Sequence, residues 1–248
     1  MNLTSHALTT TGRRANNEDN LCDAAPLGLF AVADGLGGYE GGEVASALAM
    51  ETLRAFIERH RRDPGGTWPC REDKKRTLAE NLLRAGAVAA HDAIKTQRQG
   101  TLRQMGSTIA ALYVFEQHAA VAHVGDSRVY RLRGGVLTAL TRDHSLWAEL
   151  VATGRDVPPR HEFPFKNQIT RALGLDGDAA ADTSLIELAP GDRYLLCTDG
   201  LYDPFEDDAL GALLREGTPA ACCEHLVAEA WERGSSDNIT AVIVDVAS

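Results

Sequence analysis

Several absences narrow the reading before any motif is considered. No apolar run in the 248 residues approaches the roughly 20 that a membrane-spanning helix needs. The opening MNLTSHALTTTGRR also lacks the apolar core of a secretory signal. A cytoplasmic protein with no membrane partner is therefore expected. Basic residues are outnumbered, 25 Lys and Arg against 35 Asp and Glu, and the net charge is −10. The electrostatic footprint of a nucleic-acid binder is missing at the level of the whole chain. The five cysteines (Cys22, Cys70, Cys197, Cys222 and Cys223) are odd in number, two are adjacent, and none forms a CxxC. That pattern fits free thiols in a reducing compartment, not a disulfide framework or a zinc site. No repeat, low-complexity tract or linker interrupts the chain. Its length suits one domain, spanning 1–248, with a sizeable core. A hydrophobic content of 44% excludes global disorder.

What is present is a succession of short apolar segments. LGLFAVA (27–33), closed by Asp34-Gly35, reads as a buried strand ending in a turn. Ala45, Leu48, Ala49, Thr52, Leu53, Phe56 and Ile57 recur at helical spacing. A charged, Pro- and Gly-containing connection covers 59–76, and a second helix is expected from about Lys74 to Gln97. From Ser107 the period shortens. Ser107–Phe115, His118–Val124, Ser127–Arg131 and Val136–Leu140 read as antiparallel strands, with Glu116-Gln117 and Gly134-Gly135 as tight turns. A short helix at Ser145–Thr153 precedes the Pro-rich irregular stretch GRDVPPRHEFPFKNQ, and long irregular segments in compact domains are often functional. Strands return at Thr183–Leu188 and Arg193–Thr198. Thr218-Pro219 caps and opens a helix to about Arg233, and ITAVIVDV (239–246) is the last strand. The fold class expected is α+β: a central antiparallel β-sandwich with helices on both outer faces.

Four of these apolar segments carry an aspartate at one end. Asp34 follows FAVA, Asp126 follows AVAHVG, Asp199 follows YLLCT, and Asp237 precedes ITAVIV. Any one of them is ordinary turn chemistry. Four together are another matter, because the strands of a sandwich can bring their ends to a single edge. Carboxylates crowded there repel unless a multivalent cation holds them. The donors are all oxygen, which favours Mg²⁺ or Mn²⁺ over Zn²⁺. Glycine after Asp34 and Asp199 allows close backbone approach. Arg14, with Glu18 and Asp19 four and five residues on, adds a guanidinium suited to a phosphoryl group. Two adjacent cations can lower the pKa of a shared water and aim it in line at phosphorus, so phosphoester hydrolysis is the reaction class expected.

The motifs RANNED (14–19), VADGLGGYEGGEVAS (32–46), GST (106–108), VGDSRVYRLR (124–133), TRDHS (141–145), ITRALG (169–174), CTDGLYD (197–203) and SDNITAVIV (236–244) run in this order along nearly the whole chain. In that order they resemble the metal-dependent serine/threonine protein phosphatases of type 2C, in their compact bacterial form. The resemblance implies a binuclear Mg²⁺/Mn²⁺ centre at one edge of a β-sandwich, hydrolysis of phosphoserine and phosphothreonine in proteins by metal-activated water, and a serine/threonine kinase as the opposing enzyme. It casts Asp34 as the bridging carboxylate and the Gly35 carbonyl as a ligand, with Asp199 and Asp237 on the other core metal. Glu18 and Asp19 would hold metal-bound waters, Arg14 would clamp the substrate phosphate, and Asp126 would help hold a weaker third metal. Asn238 would support Asp237 from behind, and segment 146–168 would be the flap beside the active site.

Two positions depart from the family pattern, Leu36 and Tyr39, each where relatives carry histidine. The proton donor is the function this puts in question. A metal-bound water is the donor expected, with His161 on the flap as the alternative, while His144 and Cys197 are expected to be structural. A monomer is expected. The rivals are a phosphoprotein-binding module with a dead centre, which the intact Asp34, Asp199 and Asp237 oppose, and a two-metal nuclease, which lacks a basic stripe.

Overall fold

In the third strand, Leu29, Ala31 and Ala33 face one way and Phe30 and Val32 the other, and all five are buried. Both faces of this strand are covered, so its sequence is a continuous apolar run instead of an alternation. The computed structural model describes residues 2–37, 41–177 and 180–247. The strands are β1 (Asn2–Thr10), β2 (Asp19–Ala24), β3 (Leu29–Leu36), β4 (Gly106–Ser107), β5 (Ile109–Phe115), β6 (His118–Val124), β7 (Arg128–Arg133), β8 (Val136–Ala139), β9 (Asp182–Glu187), β10 (Arg193–Cys197) and β11 (Ile239–Ala247). The helices are α1 (Gly41–Arg62), α2 (Leu78–Gln97), α3 (Leu146–Ala152), α4 (Asp199–Tyr202), α5 (Asp207–Leu213) and α6 (Pro219–Glu232).

One antiparallel sheet has the order β1-β11-β10-β7-β8. The other runs β2-β3-β5-β6-β9, with β4 paired to β3. Phe30, Val32, Leu112 and Val121 from the second sheet meet Val129, Tyr194, Leu196, Val242 and Val244 from the first in the middle of the sandwich. Helices α1 and α2 pack Leu53, Phe56, Leu83 and Ile94 on the outer face of the second sheet. Helix α6, with α4 and α5, places Leu201, Leu210, Leu226 and Ala230 on the outer face of the first. The expected α+β sandwich with helices on both outer faces is the architecture observed. Among the described residues no helix is long and apolar enough to cross a membrane.

Helix starts follow local chemistry. Thr77 and Glu80 form a reciprocal capping box at α2. The Thr218 hydroxyl accepts the Ala221 amide ahead of Pro219 at the start of α6. Three features depart from the sequence expectation. Strands β1 and β2 were not foreseen, nor were α4 and α5. The strand expected over 107–115 is interrupted at Thr108, whose hydroxyl meets both the Asp34 amide and the Ser127 hydroxyl. The second helix begins at Leu78, not Lys74, because its capping box sits at Thr77.

Candidate metal centre at the edge of the sandwich

Antiparallel pairing brings the acidic strand ends together. Asp19 at the start of β2 lies opposite Asp34 near the end of β3. Strand β10 runs out through Thr198 into Asp199, the first residue of α4, while its neighbour β11 begins just after Asp237-Asn238. Asp126 occupies the turn between β6 and β7 and is buried. Thr198 and Thr240 both donate to Asp19 Oδ2, at 2.8 and 2.6 Å, and so tie the two sheets together through this carboxylate.

The electrostatics mark these groups as mutually uncomfortable. Burial, then Asp199, Asp19, Asp126 and Asp237, push the Asp34 carboxyl well above its ordinary range. Burial and the negative charges of Asp126, Asp203 and Asp237 do the same to Asp199. Asp19 is pushed up to about 7, chiefly by burial, against the two threonine hydrogen bonds. Asp126 rises to about 6 through burial and Asp143, with Arg160 opposing. Glu18 is raised by burial, although Arg14 counteracts it. Asp199 Oδ1 is buried with no hydrogen-bond partner among the described residues. A buried carboxylate oxygen with no donor, among other carboxylates, fits a divalent cation. Gly35 fits as well. A Cβ there would sit 2.0 Å from the Gly42 carbonyl oxygen, so no larger residue allows this backbone approach.

Arg14 stands at the rim, exposed. Its Nη2 lies 2.6 Å from Asp237 Oδ2, and its Nε donates to the Ser236 carbonyl. Asn238 fastens the loop that carries Arg14 and Glu18. Its Oδ1 accepts the Glu18 amide, and its Nδ2 donates to the carbonyls of Thr11 and Asn16. Every site residue named from the sequence (Arg14, Glu18, Asp19, Asp34, Gly35, Asp126, Asp199, Asp237 and Asn238) therefore lies at this one edge. Leu36 closes β3 opposite Gly106. Tyr39 falls outside the described residues.

The segment after α3 folds back over the edge. Arg160 and Lys166 both pair with Asp203, in the turn that follows α4. A cleft of about 200 Å³ opens beside Asp199 and Asp237. A larger groove of about 540 Å³ runs between this segment and α5, and His161 lines the groove and not the cleft. Three partners escaped the sequence reading. Asp203 sits four residues after Asp199, a spacing that one helical turn makes readable, whereas Thr198 and Thr240 had no signal. His144 is structural as expected: its Nδ1 accepts the Gly125 amide at 3.1 Å. Cys197 is wholly buried, and burial pushes its thiol up.

The structure also gathers His123, His144 and Asp182, with ligand atoms within 4.8 Å of one another. Spacing along the chain gave no hint of this cluster. Three of its four imidazole nitrogens are engaged by protein: His144 Nδ1 with the Gly125 amide, His123 Nε2 with the Arg142 carbonyl, and His144 Nε2 with Arg171 Nη1 at 2.8 Å, which also lies 3.1 Å from Asp182. Here an arginine supplies the positive charge, which distinguishes the cluster from the carboxylate edge.

Comparison with known proteins agrees with this geometry. A family model described as protein phosphatase 2C matches residues 12–237. The chain is 36% identical over 234 residues to the serine/threonine protein phosphatase PstP of Mycobacterium tuberculosis, covering 94% of this chain and 43% of that protein, less than half the relative's length. It is 32% identical over 246 residues to the serine/threonine phosphatase stp of Listeria monocytogenes, covering 96% and 93%. The crystal structure of the M. tuberculosis PstP phosphatase superposes with a TM-score of 0.86 at 34% identity, over 99% of both chains. A structure of the PstP catalytic domain in complex with two manganese ions gives 0.84 at 34% identity, again over 99% of each. With the matched span running from the Arg14 loop to Asp237, and whole-chain superposition on such enzymes, this chain belongs to the protein phosphatase 2C family.

Proposed function

We propose that the chain is a metal-dependent protein phosphatase that hydrolyses phosphoserine and phosphothreonine in proteins. The observation that carries this is Asp199 Oδ1, a buried, donorless carboxylate oxygen whose charged neighbours are all acids. Asp34, the Gly35 carbonyl, Asp199 and Asp237 would hold two Mn²⁺ or Mg²⁺ ions, as the manganese-bound PstP structure suggests by analogy. Glu18 and Asp19 would bind their waters, and Asp126 would contribute to a weaker third site. When bound, the cations supply Lewis-acid stabilisation of phosphoryl charge and a water of lowered pKa.

The chain's own residues do the remaining work. Arg14, held against Asp237 beside the cleft, has a guanidinium fork that can turn to grip phosphoryl oxygens. Asn238 keeps its loop in place, and the two threonines fix the orientation of Asp19. Leu36 carries no transferable proton, and His161 faces the neighbouring groove, so neither is assigned the leaving-group proton. Residues 146–168 serve as the flap, and the phosphatase unit is read as one domain over 1–248. A monomer acting in the cytoplasm on targets of a serine/threonine kinase, without nucleic acid or membrane, completes the reading. The acidic net charge supports the exclusion of nucleic acid.

The test is turnover of a phosphothreonine peptide and of nitrophenyl phosphate. Both should proceed with Mn²⁺, stop with EDTA and recover on adding metal back. Phosphopeptide binding without any turnover in Mn²⁺ would make the chain a binding module instead.

A further inference from the structure

The cleft beside the carboxylate edge is not walled by acids alone. Its lining includes Lys166 from the flap segment and Arg233 from the turn between α6 and β11, together with Asp199, Asp203 and Asp237. Arg233 is held from two sides. Its guanidinium lies 4.8 Å from the Phe205 ring centroid, and its Nε donates to Glu229 at 3.2 Å. Both terminal nitrogens, Nη1 and Nη2, are left without a protein partner among the described residues. Across the cleft the Lys166 ammonium spends one hydrogen bond on Asp203, at 3.1 Å, and has two more to give. Two oriented cations with spare donors therefore face the same small volume as the acids expected at the reaction centre. In a chain of net charge −10 such a pairing is local, not a product of general basicity.

We infer that this cleft is a subsite for a second anionic group on the substrate, a carboxylate or a further phosphate within two residues of the phosphoryl group being removed, and that Arg233 is its specificity-determining residue. The inference rests on the phosphatase reading above. Cations held by Asp199 and Asp237 would neutralise them, leaving the free donors of Arg233 and Lys166 to set the sign of the ligand the cleft accepts. Arg233 is the more selective of the two, because a planar fork fixed over an aromatic ring meets a carboxylate or phosphate with two parallel hydrogen bonds. Both cations remain partly open to solvent, so the effect should be modest and should weaken with salt.

The experiment compares matched phosphothreonine peptides in Mn²⁺: one with alanine flanks, a set with a single glutamate at each of the two positions on either side, and a set with phosphoserine at those positions. Each kcat/KM is normalised to nitrophenyl phosphate turnover by the same protein. The parent should prefer glutamate or phosphoserine peptides at one or more positions. Arg233→Gln should lower that preference about fivefold, mainly through KM, and Arg233→Lys should restore part of it. Arg215→Gln, which removes an equal charge at an exposed site just after α5 that does not line the cleft, should keep the preference. The glutamate and phosphoserine sets separate the two kinds of anion. No preference in the parent, an unchanged preference in Arg233→Gln, or an equal loss in Arg215→Gln would overturn the subsite. Absence of turnover on every peptide and on nitrophenyl phosphate would instead sink the phosphatase reading, and the subsite with it.

Discussion

Strand β10 has an aspartate at each end, and the two could hardly be treated more differently. Asp192, just before Arg193, is buried, but its carboxylate is met on every side. Arg133 Nε and Nη2 approach its two oxygens at 2.6 Å each, and the Ala189 amide and the Tyr194 hydroxyl each donate at 2.9 Å. Burial pushes this carboxyl up, yet Arg133 and the other donors outweigh it and hold it below the ordinary range. At the other end, Asp199 has a buried oxygen with no donor, and its charged neighbours are Asp126, Asp203, Asp237 and Asp19. Both ends are acidic, both are largely withdrawn from water, and they belong to one five-residue strand. An interior carboxylate that has its own arginine is a brace. Asp199, whose charged neighbours are all acids, has no such partner and fits a bound cation instead.

The sharpest way to break that contrast is to neutralise each end in turn. Asp199→Asn should cut Mn²⁺-dependent turnover by about 100-fold or more, since several kcal/mol of transition-state charge stabilisation depend on the cations it holds. The thermal midpoint of the metal-free variant should stay level or rise, because a buried carboxyl that its acidic neighbours disfavour has gone. Near-normal turnover at saturating Mn²⁺ would remove Asp199 from the centre.

Asp192→Ala should do the reverse. Leaving Arg133 and Tyr194 without their acceptor should lower stability by about 2–3 kcal/mol, less than a fully buried pair because Arg133 is partly exposed. Turnover per folded molecule should survive. Denaturant titration alongside activity measures both, and a stable but inactive Asp192→Ala would show that the two ends are not independent.

How much of this was legible in the sequence follows the same division. Strands β3, β6, β10 and β11 showed themselves because both of their faces are covered, which demands runs such as FAVA and AVIV. Strand β1 did not. It lies at a sheet edge, half-exposed, and NLTSHALTT pairs along its whole length with β11 through a backbone ladder that leaves no hydrophobic signature. Strand β2 is short and carries Asp19, Asn20 and Asp23, which read as loop. The acids at strand ends were visible one at a time. Their meeting depends on strand order, which puts β2 beside β3 and β10 beside β11, and on contacts between the sheets such as Thr240 to Asp19 from opposite ends of the chain. The histidine cluster was unreadable for the same reason, since only the β6–β9 register sets His123 against Asp182.

The smallest of the expected effects, and the one that probes the whole cluster at once, is the pH dependence of stability without metal. Asp19 at about 7 and Asp126 at about 6 both stand above the usual aspartate value of 3.8, and Asp34 and Asp199 are raised as well. A carboxyl with a raised folded-state pKa binds its proton more tightly folded than unfolded, so folding takes up protons between those two values. Stability of the metal-free protein should accordingly fall as pH rises from about 4 through 7. The total change should be about 2 kcal/mol once coupling and relaxation are allowed for, or about 4–8 °C in midpoint. The braced Asp192 works in the opposite sense, but only below pH 4, where its depressed pKa begins to be crossed. Mn²⁺ requires the deprotonated carboxylates, so adding it should raise the midpoint most at pH 7–8 and least at pH 5, cancelling the slope. Calorimetric scans in EDTA and in Mn²⁺ across this range measure both curves. A midpoint in EDTA that climbs steadily from pH 5 to pH 8 would mean the clustered acids are already compensated within the protein, and the contrast between the two ends of β10 would fail.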